Sequence, residues 1–106
     1  MRYIYNITTN IAEDVEQEWL SWMREVHIPA MLATGKFIKV TLIQVATTEE
    51  MGGVTYASQY LCESADKLKD FYREDAPKLS GEVMRVFADK VVVFGTELKV
   101  IAEFLS

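Results

Sequence analysis

His27 is the only histidine in a chain of 106 residues, and it stands two positions before Pro29. Imidazole titrates near neutral pH, so a His there could act as an acid, a base or a hydrogen-bond donor. The alternative is structural: the helix dipole and the carbonyls freed by a proline both stabilise a His at a helix C-terminus. Glu97 is the second candidate, on the row of Val91, Val93 and Gly95 in an otherwise apolar stretch. If that row faces an enclosed cavity, burial raises the carboxyl pKa and makes it a candidate acid or base. At a strand end it would instead reach solvent beside Lys99. Gln59 lies mid-strand, where both halves of its amide need partners. Tyr3, Tyr5, Tyr56 and Tyr60 could bring four hydroxyls onto one sheet, although such aromatics more often build a core. The ligand-binding candidates are therefore Tyr5, Trp22, His27, Tyr56, Gln59 and Glu97, with His27 and Glu97 as the catalytic candidates.

Other chemistries lack their residues. There is no Cys-x-x-Cys and no His/Cys cluster, so no metal site is expected. There is no P-loop or glycine-rich nucleotide turn, and no cofactor is expected. Ser-His-Asp catalysis has no local signature. Eleven Lys and Arg against sixteen Asp and Glu give a net charge of −5. Phosphate backbones are bound by basic stripes that release counterions, so neither nucleic acid nor an anionic membrane is an expected partner. The one cysteine, Cys62, excludes an internal disulfide and fits a reducing compartment. No apolar run approaches the roughly 20 residues of a membrane helix. The first residues show no signal-peptide pattern, so the expected location is the cytoplasm.

The elements that must carry these residues follow from periodicity. Residues 2–9 read as a strand. Asn10 reads as a helix N-cap with Glu13 completing a capping box. Val15, Trp19, Trp22, Met23 and Val26 share a helical face at about 100° per residue. Pro29 predicts a kink or break near His27 and Ile28, and Gly35 a C-cap. Strands are expected over 37–45 and 54–62, joined by a hairpin loop at 47–53. Ser64 should cap a second helix with Leu68, Phe71, Tyr72, Leu79, Val83 and Val86 on one face. Pro77 and Gly81 should kink or divide it, and Asp75 should cap the segment after the proline. A last strand covers 91–101.

The order β-α-β-β-α-β over a single domain, 1–106, predicts an α+β ferredoxin-like fold: a four-stranded antiparallel sheet with two kinked helices on one face. Its strands are apolar on both sides, so something must cover the second face. A second copy of the chain is the expected cover, giving a dimeric α+β barrel.

Several motifs resemble one family. These are Tyr5-Asn6, Trp19-x-x-Trp22-Met23-x-x-Val26-His27-Ile28-Pro29, Thr34-Gly35-x-Phe37, Gly53-Val54-Thr55-Tyr56, Gln59-Tyr60 and Ala76-Pro77. Together they resemble a small uncharacterised bacterial family, domain of unknown function 4286, over almost the whole chain. The resemblance implies no activity. A looser similarity, in the Trp22 to Pro29 stretch, is to dimeric α+β barrel proteins: cofactor-free monooxygenases, muconolactone-type isomerases and the EthD-like group.

Two functions follow as expectations. In the first, a homodimer holds a small-molecule pocket that binds, and could transform without a cofactor, a small hydrophobic compound. In the second, the sheet serves a non-catalytic assembly or regulatory ligand-binding module. An enclosed cavity with converging polar groups favours the first, and a solidly packed face the second.

Overall fold

A computed structural model describes residues 1–47, 50 and 52–106. Part of the expected 47–53 hairpin loop lies outside the described residues. Four strands form one antiparallel sheet: β1 (Tyr3–Ile11), β2 (Lys39–Gln44), β3 (Val54–Cys62) and β4 (Val91–Lys99), in the order β2-β3-β1-β4. Helices α1 (Glu16–Trp22), α2 (Ile28–Ala33), α3 (Ala65–Glu74) and α4 (Ala76–Phe87) complete the ferredoxin-like α+β fold. The register sets Tyr5 between Tyr60 on β3 and Glu97 on β4, and Ile7 between Ser58 and Gly95. Strand side chains alternate faces. Tyr5, Ile7, Thr9 and Ile11 therefore share the helix-covered face with Tyr56, Ser58, Tyr60 and Cys62. The core lies there, in two apolar clusters around Phe71 and Trp19.

Asn10 is not a helix cap. β1 stays paired with β3 through Ile11 and Val54, so Asn10 is still a strand residue. Its amide donates to Thr55 Oγ1 at 3.1 Å and to the Gly52 carbonyl at 3.4 Å. The first helical turn starts only at Glu13, without a side-chain cap. Gly53 is required beside this contact: its φ is +77°, and a Cβ would lie 2.6 Å from Asn10 Oδ1.

The expected break at His27 is a π-helical turn, Met23–His27, which joins α1 to α2. In a regular helix the Pro29 ring would clash with the carbonyl four residues earlier. The wider turn relieves that clash and Pro29 opens α2. Val26, expected on the buried stripe, is exposed. The second helix is divided at Asp75, but α4 then runs through Gly81 unbroken. Ser64 caps α3 as expected, accepting from the Lys67 N–H at 3.2 Å. Asp75 makes no capping bond; its carboxylate takes Lys36 Nζ at 2.9 Å instead. Val86 points away from the core and is exposed. Phe37 precedes β2 rather than belonging to it, and packs against Tyr60 and Phe71.

The uncovered face of the sheet is mixed rather than apolar throughout. Its centre is polar, with Gln59 Nε2 donating to Asn6 Oδ1 at 3.3 Å. Its β4 edge carries Val92 and Phe94, 68% and 60% exposed. Beyond β4, Ile101, Phe104 and Leu105 are exposed as well. Among the described residues no helix is long and apolar enough to cross a membrane.

Candidate functional site

The π-turn determines what the first helix presents to the sheet. In an α-helix four-residue steps drift by about 40° each, so i, i+4, i+8 and i+12 spread round the cylinder. A π-turn carries more residues per turn and cancels part of that drift. As a result Trp19, Met23, His27 and Met31 are all buried and line one cavity.

That cavity has a volume of about 260 Å³ and lies between the sheet and the helices. Tyr5, Ile7, Ser58 and Tyr60 form its floor, and Val83 and Met84 of α4 lie along one side with Gly95 of β4. Gly95 keeps this side open, since a Cβ there would meet Tyr5 Cε1 at 3.2 Å. Most of the lining is apolar or aromatic, and among the described residues it contains no Lys, Arg, Asp or Glu.

Three buried polar atoms on the lining residues make no hydrogen bond: Trp19 Nε1, His27 Nδ1 and Ser58 Oγ. Their residues are 1%, 7% and 1% exposed. Buried polar groups are almost always paired, so three orphans on residues of one lining are unusual. Burial holds the His27 imidazole below its ordinary value of 6.5, with the charge of Glu82 working the other way. Burial therefore favours the neutral imidazole. Burial likewise pushes the Tyr60 phenol up, against an opposing effect of the Ser58 hydroxyl.

The six candidate ligand-binding residues separate in space. Tyr5 and His27 line the cavity. Trp22 lies behind His27, with its ring stacked on the imidazole and its edge on Phe87. Glu97 is exposed and outside the lining, and its carboxylate accepts from the Tyr72 hydroxyl at 2.6 Å. The Tyr5 phenol is pushed up first by burial and then by the charge of Glu97. Tyr56 packs on Trp19 and its hydroxyl donates to Glu16, facing a shallower groove that also holds Arg24 and Gln44. Gln59 is on the opposite face of the sheet, bonded to Asn6. Among the described residues no group of three or more His, Cys, Asp or Glu is placed to hold a metal.

Met23, Met31 and Ser58 escaped the sequence reading as cavity residues, whereas the tryptophans were expected as walls. A signal existed: four-residue spacing from Trp19 to Met31, and two-residue spacing of Ser58 with Tyr56 and Tyr60. A strict 100° wheel hides the first of these.

The family described as Domain of unknown function (DUF4286) matches residues 2–101, and the chain belongs to it. No curated protein matches the sequence. The fold is that of several solved structures. An ethyl tert-butyl ether D (EthD) family protein from Bacillus halodurans superposes with a TM-score of 0.69 at 15% identity, covering 93% of this chain and 99% of that one. A dimeric ferredoxin-like protein from an uncultured marine organism gives 0.69 at 13%, covering 97% and 98%. SnoaB, a cofactor-independent oxygenase from Streptomyces nogalater, gives 0.68 at 8%, covering 99% and 98%. At these identities the likeness concerns the fold alone.

Proposed function

We propose that this DUF4286 protein is a cytoplasmic homodimer of one domain per chain that binds a small hydrophobic compound between its sheet and its helices. One observation carries this reading: a largely apolar cavity of about 260 Å³ lies between the sheet and the helices, lined in part by buried Trp19, His27 and Ser58, each with a polar atom that makes no hydrogen bond. Ligand sites commonly combine an apolar lining with a few polar groups that orient the ligand. A second copy would cover Val92, Phe94 and Leu98, which are exposed on the uncovered face. The dimeric ferredoxin-like neighbour supports that assembly. Cys62 is a free, buried thiol donating to the Ser64 carbonyl, which suits a reducing compartment.

Chemistry on the bound compound would fall to His27, which borders the cavity, is favoured in its neutral form and can accept a proton. The cofactor-independent oxygenase among the neighbours supports cofactor-free chemistry as an extension of the binding function. Glu97, outside the lining, would serve as a proton outlet through Tyr72 or Tyr5 rather than touch the ligand.

Methionine-methyl NMR tests the binding. Met23, Met31 and Met84 border the cavity, whereas Met1 is exposed. Titration with indane should move the first three signals and leave Met1 in place. Gly95→Val, which puts methyls against Tyr5, should abolish the shifts. No movement up to the solubility limit, or equal movement in Gly95→Val, overturns the reading.

A further inference from the structure

Resting on the homodimer of that reading, we infer that residues 100–105 of a second copy pair with the free edge of β4 and close the mouth of the cavity, so that each site is completed by its partner chain.

Exposure locates the mouth. Among the described residues, the lining that reaches solvent is Ser80 and Met84 of α4 with Val93, Phe94 and Gly95 of β4, and the remainder is buried or half-buried. The cavity therefore opens between α4 and β4, and Met84, Val93 and Phe94 give the opening an apolar rim.

β4 also has an unpaired edge. It ends the order β2-β3-β1-β4, and among the described residues it pairs with β1 alone. A free edge presents a row of unpaired N–H and C=O groups, and natural proteins blunt such edges with charge or proline. Val91 to Thr96 carry neither. A segment that adds there gains main-chain hydrogen bonds along its length.

The chain supplies such a segment. The Val100 N–H donates to the Arg2 carbonyl at 2.9 Å, so the chain continues past Lys99 in line with the sheet. Beyond that point Ile101, Phe104 and Leu105 are 79%, 90% and 99% exposed, without cover from their own chain. A stable interface takes roughly 800 Å² from each partner. These three side chains more than double the apolar surface offered by Val92, Phe94 and Leu98.

Charge selects the register. Two β4 edges that pair antiparallel about a two-fold axis set the residues after Lys99 of one chain beside the first half of β4 in the other. An axis at Leu98 places Glu97 opposite the partner's Lys99 on both sides. An axis one residue away sets two Glu97 or two Lys99 face to face, and like charges directly opposite are destabilising. With the axis at Leu98, residues 100–105 lie along Val91 to Thr96. The partner's Phe104 then sits beside Val92 on the open face, an aromatic ring against a β-branched side chain. The partner's Ile101 sits opposite Gly95, over the mouth.

Light scattering first establishes the dimer in the unmodified protein. Leu98→Cys should then form an intermolecular disulfide in oxidised glutathione, because opposed residues stand about 4.5–5.5 Å apart at Cα, within disulfide reach. Cys62 is fully buried and takes no part. Val92→Cys, whose two copies lie far apart at this register, should give no linked dimer. In a mixed dimer, a nitroxide attached to Glu103→Cys in one chain should weaken the Met84 methyl signal of the other far more than that of Met1. A dimer that forms no Leu98→Cys disulfide, or whose Met84 signal keeps its strength, overturns the inference and leaves the dimer standing. A monomeric protein overturns both. Absence of indane binding removes the cavity function alone, since neither readout needs a ligand.

Discussion

Trp22 lies nearly flat on His27, with ring centroids 5.0 Å apart and planes 18° from parallel. The stack closes one side of the imidazole to water, and Nδ1 is buried without a partner. The π-turn makes this possible, because it brings His27 onto the buried face where a regular helix would set it on the flank.

The depressed pKa of His27 has a consequence for stability. The unfolded chain takes up the proton near 6.5, before the folded chain does. Folding is therefore fully favoured above that pH and loses stability as the pH falls below it. Melting temperatures from pH 7.5 to 5.5 should decline, and His27→Gln should flatten the slope. An unchanged slope in the variant assigns the acid sensitivity elsewhere.

Trp19→Ala should cost about 3–5 kcal/mol, as for other buried aromatics cut to alanine. Denaturant unfolding checks this. Acrylamide should quench the two tryptophans unequally, because Trp22 is only half-buried.

The tyrosines should titrate late. Burial, and then the Glu16 carboxylate, push Tyr56 up to about 12, and burial raises Tyr5, Tyr60 and Tyr72 as well. In the unfolded chain these phenols ionise near 10.0. The stability they add is present below that pH and drains away as the pH climbs above it. Ultraviolet absorbance should report little phenolate from these four at pH 10, followed by a steep rise coincident with loss of the circular-dichroism signal. Ordinary titration in the intact fold would contradict their burial.

The dimer should have twice the 12.1 kDa mass of the chain by light scattering after size exclusion. Phe94→Asp, at an exposed site on the uncovered face, should shift the population to monomer without lowering its helix content. A wild-type protein that runs as a monomer at micromolar concentration sinks the dimer.

Asp75→Asn should lower the melting temperature, because Lys36 keeps only Glu74, at 3.3 Å, as an anionic partner. Added salt should shrink the difference between the two proteins if the effect is electrostatic.

The short β-branched and aromatic runs and the order of elements were sufficient for the ferredoxin-like fold, because both can be read along the chain without knowing its long-range contacts. Ser64 and Gly35 were legible for the same reason: a cap or a left-handed turn depends on a few neighbouring residues. Asn10 was not, because ladder pairing with β3 competes with capping and only the register says which wins. Gln59 and Tyr5 both read as strand polar groups, but the pleat sends one to the open face and the other to the cavity. His27 was legible as a ligand-binding candidate, but its direction was not, since that depends on a π-turn that a fixed helical period does not contain. The three unpaired atoms arise only where two helices close over a sheet. Packing, which acts between segments far apart in the chain, decided the site.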